Sequence, residues 1–230
     1  MNSPALAPFG TELLDDPAAD PAIVARSLAN IARANWWFGG TAAALWGIDQ
    51  LLEGIPRDRP VSLLDVGTGA ADLPAAAVRR AARRDRRLSA IGLERSPVAA
   101  GLAAARGFPA VIGCAGQLPV RPGSVDIVLI SQVAHHLAAD AAADLFRAAT
   151  SLARIGVVVA DLRRSELAVA AFRLGSALLG FDAVTRADGI TSVRRGYHVG
   201  ELAELAARAG QRAQVRRRPG FRVVALWRSR

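Results

Sequence analysis

Cysteine occurs once in the 230 residues, as Cys114, so no internal disulfide can form. A reducing, cytoplasmic setting is the simple expectation. Lysine is absent: all 29 basic residues are Arg, set against 20 acidic ones, for a formal charge of +9. Long hydrophobic runs are missing too. The sequence is 52% hydrophobic, yet its apolar stretches fall far short of the ~20 residues a membrane span needs. Those in "IGVVVADL" and "VDIVLIS" read as buried strands instead. The opening "MNSPALAPFGTELLDDP" has neither a basic n-region nor an apolar h-region, so no secretion signal is expected. There is no internal repeat and no low-complexity linker. The positive charge raises the question of nucleic acid. The densest cluster, "RRAARRDRR" at 79–87, spreads around a helix and its exit without interleaved aromatics. That pattern suits solvated helix faces, and nucleic acid is not the expected partner.

Two regions differ in pattern. Up to about residue 59 there is no strand signal, only two predicted helices at about 21–36 and 41–52, separated by "FGG". From residue 61 the pattern alternates. Apolar runs at 61–66, 88–93, 110–112, 125–130 and 155–160 are separated mostly by Ala-rich helical segments. Continuous apolar strands alternating with helices predict a doubly wound, mostly parallel α/β sheet covered on both faces. Asp72, with Pro74 in the first turn, and Ser96, with Pro97, are expected helix caps. Gly107 and Gly210 suit positions just past helix ends. A helical segment at about 165–180 is followed by a stretch that reads as a loop rich in Arg, Asp and Gly. A last helix is expected at about 199–209. "QRAQVRRRPGFRVVALWRSR" reads as a hairpin turning at Pro219–Gly220, which adds an antiparallel pair and completes a seven-stranded sheet. The organisation expected is a helical lid or extension over residues 1–59 and a ligand-binding domain over 60–230.

In such a sheet, ligands bind beyond the carboxyl ends of the strands, at the switch point. The first strand ends in "LLDVGTGAADLP". Gly67 and Gly69 let the backbone turn sharply and approach a ligand closely, with Thr68 between them. A dinucleotide site wants G-x-G-x-x-G to seat a pyrophosphate. Here the third glycine position is Asp72, and Asp65 precedes the first. Two carboxylates repel a pyrophosphate but suit a ligand carrying an ammonium and a sulfonium, S-adenosyl-L-methionine. The second strand ends in "AIGLERSP", which places Glu94 where a carboxylate can accept both ribose hydroxyls, with Arg95 beside it.

At this point the sequence resembles the class I S-adenosylmethionine-dependent methyltransferases. It is most similar to the small-molecule group related to the ubiquinone and menaquinone biosynthesis enzymes. The stretches that carry the resemblance are "LLDVGTGAADLP", "AIGLERSPVAAGLA", "GCAGQLPVRPGSVDIVLISQVAHHL" and "VVVADLRRS". "SLANIARANWWFGG" and "DGITSVRRGY" resemble a bacterial subgroup. The resemblance implies S-adenosylmethionine as cofactor, S-adenosylhomocysteine as product, and no metal. It also implies that Asp65, Gly67, Thr68 and Gly69 line the methionine end, with Glu94 on the ribose. Family members usually carry G-D-A after the third strand, the Asp meeting the adenine amino group. Here it is Gly113-Cys114-Ala115, and a thiol is a poor acceptor. The Ala115 N–H can still reach the base. Ser131 and Gln132 would lie near the transferred methyl.

Methyl transfer requires a nucleophile held in line with the methyl. His135 and His136 follow the fourth strand at the crevice, where a His can take the proton of a phenol or merely orient it. Adjacent residues cannot both face one site, so only one of the two is expected at the substrate. Asp161, at the end of the fifth strand, is either a substrate-polarising group or the ion-pair partner of Arg163 or Arg164. His198 reads as a cap of the last helix. Trp36 and Trp37 would stack on an aromatic substrate or close over the cofactor. Arg194, with Arg195, would bind an anionic group from an overhanging loop. The substrate expected is a small aromatic molecule (phenol, quinol or polyketide-like) methylated on oxygen or carbon, with a homodimer open as an assembly. Two rivals stand beside it. A tRNA or rRNA methyltransferase rests on Arg content alone, without an N-P-P-Y-like strand ending. A non-catalytic binding partner rests on Cys114.

Overall fold

The computed structural model describes Glu12, Asp16 and residues 18–229. Most of the stretch read for a secretion signal lies outside the described residues. Two helices come first, α1 (Pro21–Trp37) and α2 (Gly40–Leu52). Asp20 caps α1 by accepting from the Ala22 and Ile23 N–H groups. The left-handed Gly39, φ +74°, turns the chain into α2.

The strands follow in the expected places: β1 (Val61–Val66), β2 (Leu88–Glu94), β3 (Ala110–Ile112), β4 (Val125–Ser131), β5 (Ala153–Leu162), β6 (Gln214–Arg218) and β7 (Arg222–Arg228). They form one sheet in the order β3-β2-β1-β4-β5-β7-β6. The β3 to β5 pairings are parallel, and β7 and β6 pair antiparallel at the edge. Strands β1 and β4 are buried along nearly their whole length, which is why they read as unbroken apolar runs rather than alternating ones. Helices α3 (Asp72–Ala82), α4 (Pro97–Ala105) and α5 (Ala139–Leu152) connect the parallel strands; α6 (Glu166–Leu178), α7 (Ala183–Arg195) and α8 (Val199–Arg208) precede the edge pair.

The sheet has a core on each face. One packs α5 and α8 against it through Phe146, Leu145, Leu202 and Leu205. The other packs α2 and α3 through Ala43, Ala44, Ile48, Leu51, Leu73 and Ala77. Helix α1 lies beside the glycine loop that follows β1, where Val24 and Leu28 pack on Ala70 and Ala99.

Two local expectations are corrected. The stretch read as a loop after α6 is the helix α7, capped by Asp182, whose carboxylate accepts from Thr185 N–H at 3.0 Å. Asp72 is not the cap of α3: Ala71, at φ +59°, holds that position, and Asp72 is the first helical residue. Ser96, in contrast, caps α4 by accepting from Ala99 N–H.

Candidate active site

The carboxyl ends of β1, β2, β4 and β5 converge on one crevice. Asp65, the penultimate residue of β1, is buried, and its Oδ2 accepts from the Thr68 hydroxyl at 2.9 Å. Its Oδ1 is buried with no hydrogen-bond partner among the described residues. Burial pushes the Asp65 carboxyl up to about 8; the Thr68 bond opposes this, and the negative charges of Asp72 and Glu94 add to it.

The glycine loop lies directly after this carboxyl. Gly67 and Gly69 are left-handed, at φ +72° and +54°. A Cβ on Gly67 would collide with Val133 of the β4 exit, and one on Gly69 would meet Leu28 of α1 at 3.2 Å. The loop is tied to β2 by Gly67 N–H and Thr68 N–H, which donate to the Leu93 carbonyl at 2.8 and 3.2 Å. Glu94 joins the same cradle: its Oε2 accepts from Gly69 N–H at 2.8 Å, and its Oε1 from Arg95 N–H and Ser96 N–H. Those bonds orient the carboxylate and leave further lone pairs for hydroxyl donors.

A second layer closes the cradle from the far side. Asn35 of α1 is buried, and its amide donates to Asp72 Oδ2 at 3.0 Å. Its carbonyl accepts from the Gln132 amide at 2.6 Å. Gln132, left-handed at φ +55°, in turn accepts from Arg222 at 2.9 Å. The Arg222 Nε donates to the Phe38 carbonyl. Burial lowers the Arg222 guanidinium to about 10, with Asp161 opposing that shift. Burial likewise raises the Asp72 carboxyl, against the Asn35 bond.

Beyond β4, a 3-10 turn at Ala134–His136 carries the two histidines. His135 Nδ1 lies 2.7 Å from Asp161 Oδ1, with both side chains buried. His135 Nε2 is buried with no partner among the described residues. Burial alone would raise the Asp161 carboxyl, but the charge and hydrogen bond of His135 outweigh it and hold it below the usual range. Tyr197 donates its hydroxyl to the Ala134 carbonyl at 2.8 Å and braces the turn. Burial, then the charges of Asp161 and Glu201, push that phenol far above its ordinary value. His136 stacks on His135, ring centroids 4.2 Å apart, and lies 3.8 Å from Glu12.

Residues 64–160 match the family model described as a methyltransferase domain. The chain has the fold of the S-adenosylmethionine-dependent methyltransferases. Solved structures share its fold. An S-adenosylmethionine-dependent methyltransferase from Aquifex aeolicus superposes with a TM-score of 0.56 at 12% identity, covering 79% of this chain and 89% of that one. TnmH gives 0.63 at 24% identity over 96% of this chain, which spans only 62% of TnmH. Magnesium protoporphyrin IX methyltransferase from Synechocystis, with its methyl donor bound, gives 0.52 at 12% identity, covering 87% and 81%. No curated protein matches the chain in sequence.

Within the methyltransferase fold, Asp65, Gly67, Thr68, Gly69 and Glu94 lie together, Ser131 ends the neighbouring strand β4, and Gln132 follows it. Arg95 is exposed beside Glu94. Cys114 is exposed in the turn after β3, in a bridge with Gln117, and Ala115 is partly buried next to it. Asp161 pairs with His135 rather than with an arginine: Arg163 lies over the Phe221 ring, and Arg164 bonds Glu201. His198 begins α8, its N–H donating to Glu201.

Trp36 and Trp37 are 71% and 66% exposed, and Phe38 makes a ring contact with Phe172. Arg194 is exposed, while Arg195, one residue on, is buried and bonded to Glu12. Helical periodicity explains this, since consecutive residues point about 100° apart and the segment is a helix rather than a loop. Sequence reasoning missed Asn35, Arg222 and Glu12, whose partners are far along the chain. No described helix is long and apolar enough to cross a membrane.

Proposed function

We propose that the chain transfers a methyl group from S-adenosylmethionine to a hydroxyl of a small aromatic molecule, with His135 as the proton acceptor and α1 as a lid over the cofactor loop. The observation that carries this reading is the His135–Asp161 pair. Asp161 holds Nδ1, which fixes the ring and leaves Nε2 as the basic nitrogen, buried and without a partner among the described residues.

The residues fit the cofactor. Asp65 supplies a buried acceptor for its ammonium, Glu94 for its ribose hydroxyls, and the two left-handed glycines leave backbone room. When bound, it supplies an electrophilic methyl, the S–C electron pair staying on sulfur. The chain's own part is to orient the hydroxyl, accept its proton at His135 Nε2 and exclude water. Burial of the dyad serves the last purpose.

Against RNA as substrate stands the use of the arginines. Arg59 and Arg154 bind Asp126, Arg80 and Arg84 bind Asp49, and Arg86 binds the Ile55 and Pro56 carbonyls. These arginines are therefore engaged within the fold rather than gathered into one free basic face. The test is production of S-adenosylhomocysteine with a panel of phenols and with total RNA. Turnover with a phenol that His135→Asn reduces at least about a hundredfold supports the reading; turnover with RNA alone overturns it.

A further inference from the structure

The Glu12 carboxylate sits in a basic corner that the mechanism does not use. Arg195, the last residue of α7, has a side chain 1% exposed and donates from Nη1 to Glu12 Oε1 at 3.2 Å. His136 Nε2 lies 3.8 Å from Glu12 Oε2, and its Nδ1 is 3.5 Å from Arg195 Nη1. The corner adjoins the dyad: one donor atom each from Glu12, His135 and His136 fall within 4.8 Å of one another. Glu12 reaches it from ahead of α1, 183 residues away from Arg195 along the chain.

From this placement, and resting on the function proposed above, we infer that the substrate is an aromatic hydroxy acid. Its carboxylate takes the place of the Glu12 carboxylate on Arg195 and His136, while its hydroxyl meets His135 Nε2. Three points argue for it. A guanidinium withdrawn from water needs an anion, and a planar carboxylate matches its fork. Glu12 already shows that a carboxylate fits the corner. The short span of the cluster requires hydroxyl and carboxylate to be close on the ligand, as on adjacent ring carbons. The same three donors could also be read as a cation site, but a guanidinium bonded to the carboxylate works against a divalent cation.

The test is calorimetry on the full chain saturated with S-adenosylhomocysteine, using 2-hydroxybenzoate, 4-hydroxybenzoate and phenol as probes. The inference expects 2-hydroxybenzoate to bind at least about tenfold more tightly than the other two. Glu12→Ala should tighten 2-hydroxybenzoate several-fold, because it removes the competing carboxylate, and leave phenol unchanged. Arg195→Gln should weaken it to the level of phenol. If Arg195→Gln does not fold, the gain in Glu12→Ala decides alone. Equal binding of the three probes, no binding of any up to about 10 mM, or no gain in Glu12→Ala overturns the inference. So does tight zinc binding that Glu12→Ala abolishes, which would make the cluster a metal site. Failure of S-adenosylhomocysteine itself to bind would instead overturn the methyltransferase reading beneath it.

Discussion

Asp65→Asn is expected to make the free protein more stable and to remove its affinity for the methyl donor. Asp65 is fully buried, and its carboxyl is raised by that burial from 3.8 to about 8. A raised carboxyl contributes stability that is complete below 3.8 and is lost as pH rises towards 8, because the unfolded chain ionises first. Between 3.8 and pH 7 lie about three units of about 1.4 kcal/mol each, an upper limit near 4 kcal/mol. Water entering the glycine cradle on ionisation reduces this. Asn can still accept the Thr68 hydroxyl, and Asp65 Oδ1 has no partner among the described residues to lose. The expected gain at pH 7 is therefore about 1 to 3 kcal/mol, or roughly 3–10 °C in Tm for a chain of this size. Thermal unfolding of both proteins from pH 5 to 8, with and without S-adenosylhomocysteine, measures it. The advantage of Asp65→Asn should grow with pH, and ligand should stabilise only the wild type. A variant less stable than wild type at pH 7, a gap that does not change with pH, or equal ligand stabilisation would refute the reasoning.

Gly67→Ala places a Cβ on Val133 at φ +72°; a loss of about 1–3 kcal/mol in stability and more than tenfold in donor affinity is expected, by denaturant unfolding and calorimetry. Asn35→Ala removes the bonds to Asp72 and Gln132; steady-state kinetics should show KM for the donor raised about threefold to tenfold, with a smaller change in kcat. Asp126 lies at the opposite end of the sheet, bonded to Arg59, Arg154 and Ser62. Burial raises its carboxyl, but the Arg154 and Ser62 bonds outweigh that and leave it lowered. Its contribution is thus present above the ordinary value of 3.8 and lost as pH falls below it. Asp126→Ala should cost about 2–4 kcal/mol at pH 7 and show a weaker acid-unfolding slope, with donor affinity unchanged.

Strands β1, β4 and β5 were legible because each is buried along nearly its whole length and so reads as a continuous apolar run; β1 is found at the residues the pattern predicts. The glycine loop was legible because a left-handed backbone selects glycine locally. Helix α7 was not. Its Thr, Asp and Gly content is low in helix preference, and it is held by packing: a Cβ on Gly189 would enter the Phe172 ring of α6. Its Asp182 cap was the one local signal. The chain of bonds from Asp72 through Asn35 and Gln132 to Arg222 joins residues 37, 97 and 90 positions apart, so no local pattern could announce it. His135 could not be told from His136 by adjacency; only the structure shows that His135 is the one in contact with Asp161.

Titrating S-adenosylmethionine into the protein at pH 7, in buffers of different ionisation enthalpy, reads affinity and proton uptake together. A neutral Asp65 that ionises against the ligand's ammonium predicts saturable binding with release of close to one proton. Binding without proton release, or no binding at millimolar donor, would contradict the cradle described here.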